Sequence, residues 1–178
     1  MAATLRRANI TPTGAGAGNH TLNTGDDLYY SQQFKASRVW NSVWNDIADF
    51  QLLNDELKPG KCYYDTIEGA RICNERCQLS VVGIASDTFG FGVGQGNSGV
   101  EVPIAIGGWV LAYVDKDYEP GTPLTNDEHG NLTEMTLQEK RDYPERLVAI
   151  YKKPELKESF GDKNHQIEVD GRHWVKVK

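Results

Sequence analysis

Apolar residues occupy every second position over much of the chain beyond residue 58. The clearest case is the alternating set Val100, Val102, Ile104 and Ile106. Branched-chain runs at 79 to 86 and at 146 to 152 add two further segments of the same character. A period of two with β-branched side chains is typical of strands that bury one face. The back two-thirds of the chain are therefore predicted to be built from β-strands.

An internal repeat organises this region. Residues 58 to 73 (KPGKCYYDTIEGARIC) and 119 to 135 (EPGTPLTNDEHGNLTEM) each contain a Pro-Gly pair and a second glycine nine residues after the first. A Pro-Gly pair predicts a turn into a strand, and the second glycine predicts a reversal between strands. One of the branched-chain runs follows each copy, and the second copy carries a polar insert at 136 to 145. We predict two related β units that build one small β-barrel or sandwich.

The C-terminal segment IEVDGRHWVKVK has the pattern of a hairpin. Apolar residues alternate on both sides of Asp170-Gly171, a dipeptide that favours a type I′ turn. We predict a hairpin that closes the β region.

The front of the chain differs. Residues 1 to about 27 have no sustained periodicity and predict an arm that is extended or disordered by itself. Residues 31 to 57 carry apolar side chains at spacings of three and four, which predict one amphipathic helix. Its apolar face consists of Trp40, Val43, Trp44, Ile47 and Phe50.

This face has two interpretations: it packs on its own domain, or it contacts another subunit. The two tryptophans favour the second interpretation, because they give a helix beside an unstructured arm a large apolar surface. The predicted organisation is an arm and assembly helix over 1 to 57, followed by a β domain over 58 to 178.

Composition and charge exclude several classes of function. The chain is 39% hydrophobic and 25% charged, which suits one globular domain. A net charge of −6 with dispersed basic residues argues against nucleic acid as a partner. No apolar run is long enough to cross a membrane, and no hydrophobic segment follows the N-terminal arginines, so synthesis in a cytoplasm is expected.

The segment Gly94-Gln95-Gly96-Asn97-Ser98-Gly99 formally matches the G-x-G-x-x-G pattern of dinucleotide-binding loops. Such a loop must open a helix whose N-terminal amides face the pyrophosphate. The residues that follow alternate as in a strand and include Pro103. We therefore predict a connection between two strands, and no bound cofactor.

The other candidate catalytic and metal-binding residues have little support from sequence motifs. Ser86-Asp87, at the end of a predicted strand, is the best candidate nucleophile, but no Gly-x-Ser-x-Gly elbow surrounds it, and a turn or cap is the preferred interpretation. Neither the acidic clusters nor the histidines have the spacing of a metal site. Cys62, Cys73 and Cys77 match no common zinc pattern and are expected to be reduced thiols. The sequence predicts no catalytic residue, no metal and no enzyme activity.

Several motifs resemble a known family. KPGKCYYDTIEGARIC, SVVGIAS, VEVPIAIGGWVLAYV and the second Pro-Gly segment resemble, in order and spacing, the β-rich intramolecular-chaperone autocleavage domain of phage appendage and tail-spike proteins. The resemblance covers residues 58 to about 152.

The resemblance implies a bacteriophage virion structural protein, of the capsid-decoration, head-fibre or appendage type. It implies a homo-oligomer, expected to be trimeric, whose partners are other copies and major capsid or other virion proteins. The alternative implied by the family is a chaperone domain that assists fibre trimerisation and cleaves itself. The residues that the family needs for self-cleavage have no clear match in this sequence. We therefore expect, first, a virion component that does not cleave itself.

Overall fold

The computed structural model describes residues 45 to 94, 100 to 162 and 165 to 178. Within these residues one α-helix, α1, spans Leu137–Asp142, and a 3-10 helix follows at Pro144–Arg146. The remaining elements are the strands β1 (Asp46–Leu52), β2 (Cys62–Tyr64), β3 (Arg71–Ile72), β4 (Val81–Ala85), β5 (Phe89–Val93), β6 (Glu101–Ala112), β7 (Pro123–Asn126), β8 (Leu132–Glu134), β9 (Ala149–Pro154), β10 (Ser159–Asp162), β11 (His165–Glu168) and β12 (His173–Val177).

Ten of these strands form one sheet. Its main path runs β3-β2-β4-β6-β12-β9-β7-β8, and β1 joins β6 beside this path. β1 is antiparallel to β6 and parallel to β5, while β10 and β11 form a separate hairpin. The mainly β fold predicted from the sequence is confirmed, and the sheet is not closed into a barrel.

The two predicted β units are present, with the same internal order. In the first unit β2 pairs with β3 and β4, and in the second β7 pairs with β8 and β9, all antiparallel. The glycine of each Pro-Gly turn makes the same bond: Gly60 N donates to Ala85 O at 2.7 Å, and Gly121 N donates to Tyr151 O at 2.9 Å. Each unit leads into a further strand, β6 or β12, and these two pair with each other.

The segment after β3 joins the first unit to the second. The side chain of Asn126, which is fully buried, donates to Glu75 O at 2.6 Å and accepts from Gln78 N at 3.0 Å. Its backbone carbonyl accepts from Cys77 N at 2.9 Å. One buried amide therefore satisfies backbone groups of a loop far away in sequence.

The main core lies between the two units. Buried aliphatic, aromatic and thiol side chains from both meet there, among them Cys62, Ile84, Val110, Leu124, Leu132, Tyr151 and Val175. β12 is covered on both faces: Val175 and Val177 belong to this core, whereas Trp174 packs in a second cluster with Leu111, Ile167 and Val169.

The helix predicted over 31 to 57 is wrong for residues 46 to 52. These residues form β1, which pairs with β6 along its full length. Hydrogen bonds to β6 and β5 outweigh the local helical spacing, because strand pairing with distant residues routinely overrides a weak local preference. Residues 31 to 44 lie outside the described part of the chain.

The predicted C-terminal hairpin is wrong in its pairing and right in its turn. Asp170 has φ 48° and Gly171 has φ 70°, the positive values that a type I′ turn requires. The strands on the two sides of the turn do not pair with each other: β11 pairs with β10, and β12 pairs with β6 and β9. The turn therefore sends the chain from one sheet into the other.

The polar insert of the second unit becomes α1 and the 3-10 helix, neither of which has a buried residue. Thr136 caps α1: its hydroxyl accepts from Glu139 N at 3.1 Å, and the Glu139 carboxylate accepts from Thr136 N at 2.7 Å. This reciprocal capping box satisfies two amides that a helix start otherwise leaves free. A segment with no core-forming residue is thus held on the surface.

Candidate assembly surface and buried carboxyl cluster

Two of the five predicted interface residues lie in the described part of the chain, and both are on β1. Ile47 is 45% exposed, whereas Phe50 is half-buried and packs edge-on against Phe89, with ring centroids 5.5 Å apart. Residues three apart share a face in a helix but point to opposite faces in a strand. The structure therefore does not bring Ile47 and Phe50 together on one surface. Trp40, Val43 and Trp44 lie outside the described residues.

A different apolar row lies on the outer face of the sheet. Ile47 of β1 is the direct partner of Phe91 in β5 and of Gly107 in β6. The register shifts at the next position, where Ala48 lies opposite Ala105, so Ile106 is the extra residue of a bulge in β6 beside Ile47. Phe91 is 42% exposed and Ile106 is 51% exposed. We call Ile47, Phe91 and Ile106 the outer row. Sequence spacing could not have found it, because its members come from three strands.

Gly92 and Gly94, which precede residues 95 to 99, have packing roles. A Cβ at Gly92 would lie 2.6 Å from Cε2 of Phe50, so the ring of β1 occupies the space that a side chain in β5 would need. Gly94 has φ 71°, and a Cβ there would lie 2.5 Å from Oδ1 of Asp49. β5 ends just before Gly94, and β6 begins at Glu101. The strand context predicted for this motif is confirmed on both sides; residues 95 to 99 themselves lie outside the described ranges.

On the inner face of β1 lies a buried carboxyl cluster, formed by Asp46, Ser86 and Thr88. Asp46 is 2% exposed, and its Oδ1 accepts from the Thr88 hydroxyl at 2.9 Å. The Ser86 hydroxyl lies 3.2 Å from that of Thr88 and accepts from Thr88 N at 3.0 Å. Oδ2 of Asp46 is buried and has no hydrogen-bond partner among the described residues.

Burial raises the pKa of Asp46 to about 6, because a charged carboxylate loses its hydration in this position. The Ser86 and Thr88 hydroxyls lower the pKa in part, and the negative charge of Asp87 raises it further. The cluster is therefore a site where a proton is held more tightly than by an ordinary aspartate.

Asp87 itself forms an ion pair with Arg172. The guanidinium donates to both carboxylate oxygens, each at 2.8 Å, and Arg172 is 3% exposed. Arg172 also donates to the carbonyls of Val169 and Glu168, so it holds the turn before β12 against the end of β4. Two parallel N–H···O bonds give this pair a fixed geometry.

These contacts support the turn interpretation of Ser86-Asp87. Ser86 is 1% exposed, and its backbone N donates to Pro103 O at 2.8 Å. Its hydroxyl accepts from Thr88 N two residues later, which is the pattern of a serine turn. Asp87 is engaged by Arg172. Sequence reasoning missed Asp46 and Arg172, since both lie far from Ser86 along the chain and neither has a local motif.

Several other candidates in the described part of the chain have structural partners or are buried. All three cysteines are buried free thiols, and burial raises the pKa of Cys73 to about 12. The Asp127 carboxylate accepts from the backbone amides of His129 and Asn131, both at 2.8 Å, and so holds the β7–β8 turn. His173 Nδ1 lies 2.9 Å from the Tyr151 hydroxyl, and burial lowers the pKa of this histidine.

The described residues contain no group of three or more His, Cys, Asp or Glu side chains that could hold a metal ion. In the same part of the chain, no helix has the length and apolar character needed to cross a membrane.

Comparison with known proteins finds a distant structural likeness. No protein-family model matches the chain, and no curated protein sequence matches it. Among solved structures, the chain is similar to the pre-mature gene product 12 of bacteriophage phi29, with a TM-score of 0.48 and 12% identity. The match covers 75% of this chain and 21% of that protein, so the chain spans about a fifth of its length. The resemblance to the chaperone autocleavage domain stays a prediction.

Proposed function

We propose that this chain is a structural component of a bacteriophage virion and acts by associating with further copies of itself and with neighbouring virion proteins. The motif resemblance over residues 58 to about 152 is the first support. Its Pro-Gly turns and its Val-rich strand form the strand-built scaffold of the two β units. The groups at Ser86-Asp87 have structural partners, which favours a mechanical role over a chemical one.

The outer row is the observation that carries this proposal. Three large apolar side chains, each between 42% and 51% exposed, lie side by side on adjacent strands. Burying apolar surface stabilises an interface by roughly 25 cal/mol per Å². The occupant that we assign to the row is a second copy of this chain, because the motif resemblance implies a homo-oligomer and closed symmetric assemblies reuse one patch on every subunit.

Replacing two members of the outer row tests this assignment. The double variant Ile47→Ser with Ile106→Ser is expected to shift the full chain from oligomer to monomer in sedimentation velocity, because both side chains leave an apolar interface. Ile67→Ser is the matched control: Ile67 is fully exposed in the β2–β3 turn and lies outside the row.

Circular dichroism should show that all the variants keep the β fold. If the double variant associates as strongly as the control, the outer row is not the subunit interface and the proposal loses its main support.

A further inference from the structure

Where the N-terminal end of β1 joins the sheet, it carries a buried carboxyl group, that of Asp46, with few polar partners. Asp46 is the first residue of β1, and its backbone lies opposite Gly108 in β6 and Phe89 in β5. A Cβ at Gly108 would lie 2.8 Å from the Asp46 Cα, so the two backbones approach closely there. The carboxyl group is thus enclosed at a tight junction of three strands.

The charges around Asp46 do not compensate its ionisation. Asp87, at the end of β4, is the charged side chain of the described residues that acts on Asp46, and its charge is of the same sign. Arg172 is committed to Asp87 through two hydrogen bonds. From β6 the facing residues are glycines, and from β5 the facing residue is Phe89. Besides Asp87, the connection before β5 contributes the uncharged hydroxyls of Ser86 and Thr88.

We propose that the attachment of the N-terminal end of β1 to β6 depends on a proton, with Asp46 as the group that binds it. In the protonated acid, one oxygen still accepts from Thr88 and the other no longer carries buried charge. In the ionised form, Oδ2 is a buried charged atom to which no described residue donates a hydrogen bond, and this costs free energy. Local opening of residues 45 to 48, which returns this oxygen to water, is therefore favoured when Asp46 is ionised.

The direction of the pH dependence follows from the burial of the carboxyl group. Because the pKa of Asp46 is raised in the folded protein, the stabilisation is complete at low pH and is lost as pH rises through about 6. The equilibrium between the closed state, in which residues 45 to 48 are paired, and the locally opened state shifts about tenfold towards the closed state between about pH 7.5 and about pH 5. The factor is about ten because pH 5 lies one unit below the pKa of Asp46. β1 carries Ile47 on its other face, so the outer row is held most firmly in acid.

Hydrogen–deuterium exchange of the full chain tests the proposal without requiring assembly. After correction for intrinsic exchange, the peptide covering β1 should be about tenfold less protected at about pH 7.5 than at about pH 5. The peptide covering β9 is the internal control and should keep its protection. Asp46→Asn should remove the pH dependence of β1. The matched control Asp49→Asn, on the same strand, should retain it.

Equal protection of β1 at the two pH values would overturn the proposal, as would a pH dependence that survives in Asp46→Asn. Should that variant fail to fold, the side-chain carboxyl carbon of Asp46 can be titrated by NMR in the unmodified chain. Titration in the range of an ordinary exposed aspartate would then refute the proposal. Loss of the oligomer in the Ile47 and Ile106 variant would leave this result unchanged, so the two proposals fail separately.

Discussion

At the scale of single residues, the glycines of the two Pro-Gly turns show how much the surroundings matter. Gly60 has φ 89° and Gly121 has φ 97°, so both positions disfavour any residue with a Cβ. A Cβ at Gly60 would lie 2.5 Å from Cδ of Arg172, whereas no atom of the described residues lies within 4 Å of one at Gly121. The same turn is therefore packed in the first unit and open in the second.

The two turns form a natural pair for mutation. Gly121→Ala is expected to lower the free energy of unfolding by about 1–2 kcal/mol through backbone strain alone. Gly60→Ala should cost about 1–3 kcal/mol more, because the Arg172 stem is fixed by the Asp87 ion pair and cannot move aside. Urea unfolding of both variants measures the difference. Equal losses would mean that the contact with Arg172 has no energetic effect.

At the scale of elements, α1 has no buried residue and is connected to the rest of the fold by hydrogen bonds and ion pairs. Its first turn is capped by Thr136 and Glu139, and the Glu139 carboxylate also receives two hydrogen bonds from Arg76, at 2.8 and 3.0 Å. The Arg76 guanidinium, with the Thr136 amide and hydroxyl, lowers the pKa of Glu139 to about 2. One carboxylate therefore connects the loop after β3 to the insert of the second unit.

Glu139→Gln should weaken this connection in a pH-dependent way. Because the pKa of Glu139 is lowered in the folded protein, its carboxylate stabilises the fold at pH values above the ordinary pKa of 4.5. This stabilisation is lost as the pH falls towards 2. The variant is expected to lose about 1 kcal/mol near neutral pH and less at about pH 3. Glu145→Gln is the control, since Glu145 is paired at 3.6 Å and exposed. A loss that is the same at both pH values would contradict the assignment.

At the scale of the whole molecule, β1 places residues that precede position 58 within the β-sheet. It lies between β5 and β6, and Ala48 on its inner face is fully buried. The predicted division at residue 57 stays a prediction for residues 1 to 44, which lie outside the described part of the chain. For 46 to 52, however, the strand pairing makes β1 part of the sheet.

Two truncated chains test whether the β fold requires β1 or is complete from residue 58 onward. A chain starting at residue 45 retains all the described strands and should keep a cooperative unfolding transition. A chain starting at residue 58 lacks β1, leaves β5 without its described partner strand, and should be less stable by several kcal/mol. Thermal unfolding followed by far-UV circular dichroism compares them. Equal stability would show that β1 is dispensable for the fold.

The sequence alone determined the features that depend on neighbouring residues. The Pro-Gly pairs at 59 and 120, the second glycines and the alternating runs predicted two related β units, and both units are present. The type I′ turn at Asp170-Gly171 was predicted for the same reason, since a turn depends on the backbone freedom of its own residues.

Only the tertiary structure decided which strands pair and which side chains meet. Helical spacing around Ile47 predicted a helix, but pairing with β6 makes a strand, because hydrogen bonds to a distant segment are not encoded in local periodicity. Arg172 and Asp87 are 85 residues apart, and Asp46 and Thr88 are 42 apart. Such contacts form only when the sheet brings the ends of β1, β4 and β12 together, and so the buried carboxyl and the outer row are properties of the fold.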